Sequence, residues 1–89
     1  MIRKRVLVSG RVQGVYFRDT CQRLATGYGV RGWVRNLPDG RVEAVFEGAA
    51  DAVERLVRWS HNGPRHARVS AVEVSGELPE GLADFTIRP

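Results

Sequence analysis

Nine residues, Gly-Arg-Val-Gln-Gly-Val-Tyr-Phe-Arg at positions 10–18, constrain the fold of this chain more than any other stretch. Before them stand Val6, Leu7 and Val8, a short run with the β-branched character of a strand. After them Phe17, Cys21, Leu24, Ala25 and Tyr28 recur at helical spacing. The connection is therefore strand, tight loop, helix. Such a loop turns successive backbone N–H groups inward, and the helix start behind it adds unsatisfied donors and a favourable dipole, which together make an anion site. Gly14 is free to take the positive φ that the reversal needs. Arg18, in the first helical turn, can fold its guanidinium over the same hollow and hold two oxygens at once. The stretch is not a Walker A loop, because no Gly-Lys-Ser/Thr triplet follows. Nor is it a cysteine-phosphatase loop, since the position six before Arg18 is Val12.

Taken in order, the chain alternates without a linker or repeat. The expected elements are a strand over residues 5–10, a helix over roughly 16–28 and a hairpin over 30–48 that turns at Pro38-Asp39-Gly40. A second helix is expected over 50–61, stopped by Asn62-Gly63-Pro64. A strand over 69–75 and a last short alternation at Phe85 and Ile87 complete the chain. That order predicts an α+β, ferredoxin-like sandwich in a single domain over residues 1–89. It has an antiparallel sheet of four main strands, a short C-terminal strand, and two helices on one face. Strand parity puts Val42, Ala44 and Phe46 toward the helices and leaves Glu43, Val45 and Glu47 on the open face. On the preceding strand the inward row is Val30, Gly32, Val34 and then Asn36. An inward carboxamide needs a polar pocket, because a buried unpaired amide costs about 1–3 kcal/mol. Opening the Pro-Asp-Gly turn is the other role open to Asn36, and on these residues alone it is the simpler one.

Composition sets outer limits. The 89 residues suffice for one core, and no apolar run approaches a membrane span. Only three apolar residues follow the basic start before Ser9, too few for a secretory leader. One cysteine excludes an intrachain disulfide, and Cys21 falls on the apolar stripe of the first helix, so a reducing, cytoplasmic setting is expected. The net charge of +4, carried by thirteen Arg and one Lys, suits an anionic partner, whether a small phosphorylated molecule or nucleic acid. His61 and His66 have no Cys, Asp or Glu beside them to complete a metal set.

The nonapeptide resembles the signature of the acylphosphatase family, Gly-x-Val-Gln-Gly-Val-x-Phe-Arg, through Gly10, Val12, Gln13, Gly14, Val15, Phe17 and Arg18. Gly32-Trp33-Val34-Arg35-Asn36 with Asp39-Gly40 is similar to the family's second motif, whose asparagine positions the attacking water. Trp59, Gly63-Pro64, Ala67-x-Val69 and Phe85-x-Ile87 extend the resemblance along nearly the whole chain, with departures at His61-Asn62 and His66. The resemblance implies a phosphate-binding loop of Gln13, Gly14, Val15, Tyr16, Phe17 and Arg18, and Arg18 and Asn36 as catalytic residues. The lack of a clustered ligand set in the sequence leads to the expectation of no metal and no cofactor.

The chemistry agrees with what the residues lack. There is a phosphate cradle, one arginine and one asparagine, but no evident nucleophile or general acid. A phosphate monoester needs help for its alkoxide leaving group, whereas an acyl phosphate leaves as a carboxylate and mainly needs alignment and charge stabilisation. The expected reaction is hydrolysis of an acyl phosphate to a carboxylate and inorganic phosphate, by an independent, cytoplasmic, monomeric enzyme without a membrane or specific nucleic-acid partner. Two alternatives are a basic nucleic-acid-binding module, for which Trp33 between Arg31 and Arg35 is the best feature, and a regulatory module within a larger assembly.

Overall fold

The alternations and helical spacings resolve into seven elements in the computed structural model, which describes every residue from Met1 to Pro89. They are β1 (Ile2–Arg11), α1 (Phe17–Gly27), β2 (Arg31–Asn36), β3 (Val42–Gly48), α2 (Ala50–Ser60), β4 (Arg68–Glu77) and β5 (Phe85–Ile87). The sheet order is β4-β1-β3-β2-β5. β1, β2, β3 and β4 pair antiparallel, and β5 adds to the free edge of β2 in parallel. The architecture is the expected ferredoxin-like α+β sandwich.

Parity along the strands builds the core. Val6 and Val8 of β1 face Ala44 and Val42 of β3 in register, and Val34 of β2 faces Ala44 from the other side. Over this row pack Phe17, Cys21 and Ala25 of α1 and Val53, Leu56 and Val57 of α2, all in one buried cluster. The Phe46 and Phe85 rings stack at 5.9 Å and tie β5 to the same core. Cys21 is a core residue as its spacing suggests, and burial pushes its thiol pKa up.

The opposite face of the sheet departs from expectation. Glu43 and Glu47 are not open to solvent; both are buried, Glu47 completely. Arginines on the flanking strands explain it. Arg35 Nε bonds Glu43 at 2.7 Å, Arg5 bonds Glu43 and, at 2.6 Å, Glu77, and Arg3 bonds Glu77 at 2.9 Å and Glu47 at 3.4 Å. Glu47 also accepts the backbone N–H groups of Glu80, Gly81 and Leu82 at 2.6, 2.9 and 2.8 Å. The carboxylate thus fastens the segment that leads into β5. The same pairing extends β1 and β4 beyond the expected residues 5–10 and 69–75, because Arg3 and Glu77 satisfy each other inside the ladder.

Burial pushes the Glu47 carboxyl up, but the three N–H donors and Arg3 outweigh it and hold it below the usual glutamate range. Glu77 is held low by hydrogen bonds from Arg5 and Arg3. A lowered carboxylate pKa contributes stability that is whole above the unfolded value, about 4.3, and is lost as pH falls through the folded one. Glu47→Gln should therefore cost about 3 kcal/mol at pH 7, as breaking a buried, hydrogen-bonded charge pair does. In urea melts the gap between variant and unaltered protein should narrow as pH drops below 4. A gap independent of pH would contradict the role given to the Glu47 charge.

Candidate active site

Glycine freedom and apolar anchoring together shape the loop between β1 and α1. Gly14 takes φ 73° and Tyr16 takes φ 63°, so left-handed residues alternate along it. Val12, Val15 and Phe17 turn inward and are buried, and the Phe17 ring lies 4.9 Å from Trp59. The first backbone bond that closes α1 runs from Thr20 N–H to the Tyr16 carbonyl at 3.1 Å. The N–H groups of Gly14, Val15, Tyr16, Phe17, Arg18 and Asp19 have no acceptor within the protein. Alternating handedness ahead of a helix start makes an anion-binding concavity of this kind.

Arg18, half-buried, reaches the concavity from the first turn of α1 without any carboxylate or carbonyl partner of its own. Asn36 ends β2 opposite Val42, half-buried, with its Oδ1 buried and without a hydrogen-bond partner. Asn36 is nonetheless one of the residues that line a pocket. Gly14, Tyr16, Arg18 and Asn36 line one cleft of about 420 Å³, with Ile87 of β5 on its side. Asp19 stands at the same cleft but pairs with Arg23 at 3.6 Å, within its own helix. No three His, Cys, Asp or Glu side chains come together in a metal-holding group.

Gln13 does something its place in the motif did not reveal. Its Nε2 donates to the carbonyls of Leu37 at 2.8 Å and Arg41 at 3.0 Å, on the turn that follows Asn36. The side chain thus clamps the loop to the hairpin, which fixes Asn36 relative to the N–H concavity. The turn is closed by Leu37 N–H to Arg41 C=O at 2.8 Å and by Asp39, which accepts from the Arg41 N–H and side chain. The backbone hydrogen bond from Arg41 holds the Asp39 carboxyl below its ordinary range.

The family model for acylphosphatase matches residues 4–87. The chain belongs to the acylphosphatase family. It is 67% identical to an acylphosphatase of Rubrobacter xylanophilus over 87 residues, 97% of this chain and 79% of that one. The crystal structure of the acylphosphatase from Bacillus subtilis superposes with a TM-score of 0.95 at 38% identity, with both chains covered completely. The structure of an acylphosphatase from Coxiella burnetii gives 0.93 at 39% identity, over 98% of this chain and 92% of that one.

Within this family member Trp33 is not an exposed stacking surface on the sheet. The Trp33 ring is buried, under the guanidiniums of Arg5, Arg35 and Arg88 at 5.6, 5.3 and 4.6 Å from its centre. Arg31 instead reaches the Leu82 carbonyl. Two features of the site had no local signal. The Gln13 clamp spans 24 and 28 residues of sequence, and Tyr16 adopts a backbone that its residue type disfavours.

A left-handed L-residue costs roughly 1–2 kcal/mol, which here the packing of Val15 and Phe17 offsets. Tyr16→Gly should leave stability unchanged or raise it by up to about 1 kcal/mol, the relief of strain outweighing glycine's extra chain entropy. Tyr16→Val should lower it by about 1 kcal/mol or more, because a β-branched side chain tolerates that region least. Denaturant melts of the two variants compare them directly. Equal stability of the Gly and Val proteins would mean that the loop is not held in the conformation described.

Proposed function

We propose that this member of the acylphosphatase family hydrolyses the carboxyl–phosphate anhydride of acyl phosphates by direct attack of water on phosphorus. The observation that carries the reading is that Asn36, whose Oδ1 has no partner within the protein, lines one cleft with Gly14, Tyr16 and Phe17, whose N–H groups are free, and with the unpaired Arg18. With its terminal torsion turned so that Oδ1 meets the cleft, the Asn36 carboxamide accepts one hydrogen of a water and leaves the water's lone pair to point across the cleft. The N–H groups and Arg18 hold the three phosphoryl oxygens and stabilise them as charge redistributes through a loose transition state. The leaving carboxylate needs no proton, which suits a site whose only nearby carboxyl, Asp19, is engaged with Arg23. Gly14, Val15, Tyr16, Phe17 and Arg18 act through their backbone donors, whereas Gln13 acts as the clamp on the hairpin.

The products are a carboxylate and inorganic phosphate, and the reaction draws on no metal or cofactor. A monomeric, cytoplasmic enzyme without a specific nucleic-acid partner accords with a lone buried thiol and with a sheet face covered by its own ion pairs.

Phosphate release from benzoyl phosphate, with a phosphate monoester as control, tests the reaction. The anhydride should be hydrolysed and the monoester not. Arg18 meets the phosphoryl group before and during attack, so Arg18→Ala should lower inorganic phosphate affinity and reduce turnover by roughly 10³-fold or more. Lysine at this position should not restore it, because a point charge lacks the bidentate fork. Asn36 acts only as the new bond forms, so Asn36→Ala should lower kcat heavily while phosphate affinity stays near its original value. Near-normal kcat in a folded Asn36→Ala protein would reduce that residue to a turn former.

A further inference from the structure

On the opposite flank of residues 14–16 lies a second cleft of about 440 Å³, walled by Arg11, Arg65, His66 and Arg68. It shares Gly14 and Tyr16 with the catalytic cleft, so a single stretch of loop separates the two. A break in strand register brings these side chains together. β1 and β4 slip register between Ser9 and Gly10, so that Arg11 pairs with Arg68 across the ladder. Continued without the slip, the ladder from Ser9↔Ala71 would set Arg11 opposite Val69. The bulge needs glycine at position 10, where φ is 122° and a Cβ would fall on the Arg68 carbonyl oxygen. It places like charges face to face, which opposes strand pairing, and bulges beside functional sites serve to re-aim side chains. Arg65 and His66 stand exposed at a turn closed by Ala67 N–H to Pro64 C=O at 3.0 Å, with Ala67 packed on the core.

Charge pairing elsewhere makes the contrast. Arg3, Arg5, Arg35 and Arg41 all meet carboxylates, and Arg55 and Arg88 lie over aromatic rings. Arg11, Arg65 and Arg68 have no carboxylate, ring or carbonyl partner, and unlike the equally unpaired Arg58 of α2 they converge on one hollow. Three free guanidiniums and an imidazole around one hollow form a polydentate acceptor of oxyanions.

We propose that this cleft is a second anion site, which takes a phosphate-type dianion. The dianion is either free inorganic phosphate or a phosphate group borne on the acyl portion of a substrate whose reacting phosphoryl group occupies the catalytic cleft. The second source rests on the acyl phosphate reading of that cleft; the first does not.

The double variant Arg65→Gln/Arg68→Gln tests it, since both residues are exposed and neither belongs to the catalytic machinery. In the first arm, inorganic phosphate is titrated into the Arg18→Ala protein and backbone amide shifts are followed by NMR. Saturable shifts at Arg11 and residues 65–68, abolished when Arg65→Gln/Arg68→Gln is added, establish the site for free phosphate. In the second arm, kcat/KM is compared for an acyl phosphate that carries a phosphate ester on its acyl chain and for the same compound without the ester. A loss of about tenfold or more in the double variant for the ester-bearing compound alone, the size expected for charge-assisted hydrogen bonds, establishes the substrate-borne source. No saturable shifts in the first arm and equal effects on both compounds in the second overturn the proposal. The titration needs no turnover, so failure of the unaltered protein to hydrolyse benzoyl phosphate overturns the functional reading while the titration still decides the cleft.

Discussion

Two hydrogen bonds from Gln13 Nε2, to the carbonyls of Leu37 and Arg41, hold the site together. The donors of the anion cradle sit on the loop before α1, and Asn36 sits at the end of β2, so each half alone is only a turn. A hydrogen bond of this type contributes roughly 1 kcal/mol net, small beside the core. Its importance is geometric. A carboxamide donating to two carbonyls of the next turn fixes both the distance and the angle between the halves, and transition-state stabilisation depends on such fixed placement.

The rigidity of that arrangement comes from packing and from charge arranged in opposite ways on the two sides of the sheet. Under the helices, Val12, Val15 and Phe17 sink into the core and force the loop backbone to turn its N–H groups outward. On the far side, Glu43, Glu47 and Glu77 are each matched by arginines of neighbouring strands, and Glu47 binds down the segment that carries β5. Ile87 of β5 reaches the side of the catalytic cleft, so the buried carboxylate and the cleft are linked through one strand. Most arginines away from the loop serve as structural partners, with the exposed Arg58 of α2 the exception, whereas Arg11, Arg18, Arg65 and Arg68 around the loop stay free.

What could be read from sequence was local. The strand–loop–helix connection, the hairpin parity and the inward Asn36 follow from periodicity and turn chemistry over a few residues, and the fold has them where expected. What could not be read depends on partners far away in the chain. Arg3 looks like a solvated N-terminal charge until Glu47 and Glu77 are placed beside it, 44 and 74 residues on. Glu43 and Glu47 look open for the same reason. Trp33 suggests a stacking platform until Arg88, at the other end of the chain, is laid over it. Tyr16 contradicts its own backbone preference, and only the packing on either side of it explains why.

The central claim is that the cradle and Asn36 direct water to phosphorus rather than to the acyl carbon. Hydrolysis of benzoyl phosphate in ¹⁸O-water, with the products resolved by mass spectrometry, tests it most directly. The geometry predicts that the label enters inorganic phosphate and leaves benzoate unlabelled. Label in benzoate would mean attack at the carbonyl, and would contradict the roles assigned to Asn36 and to the loop.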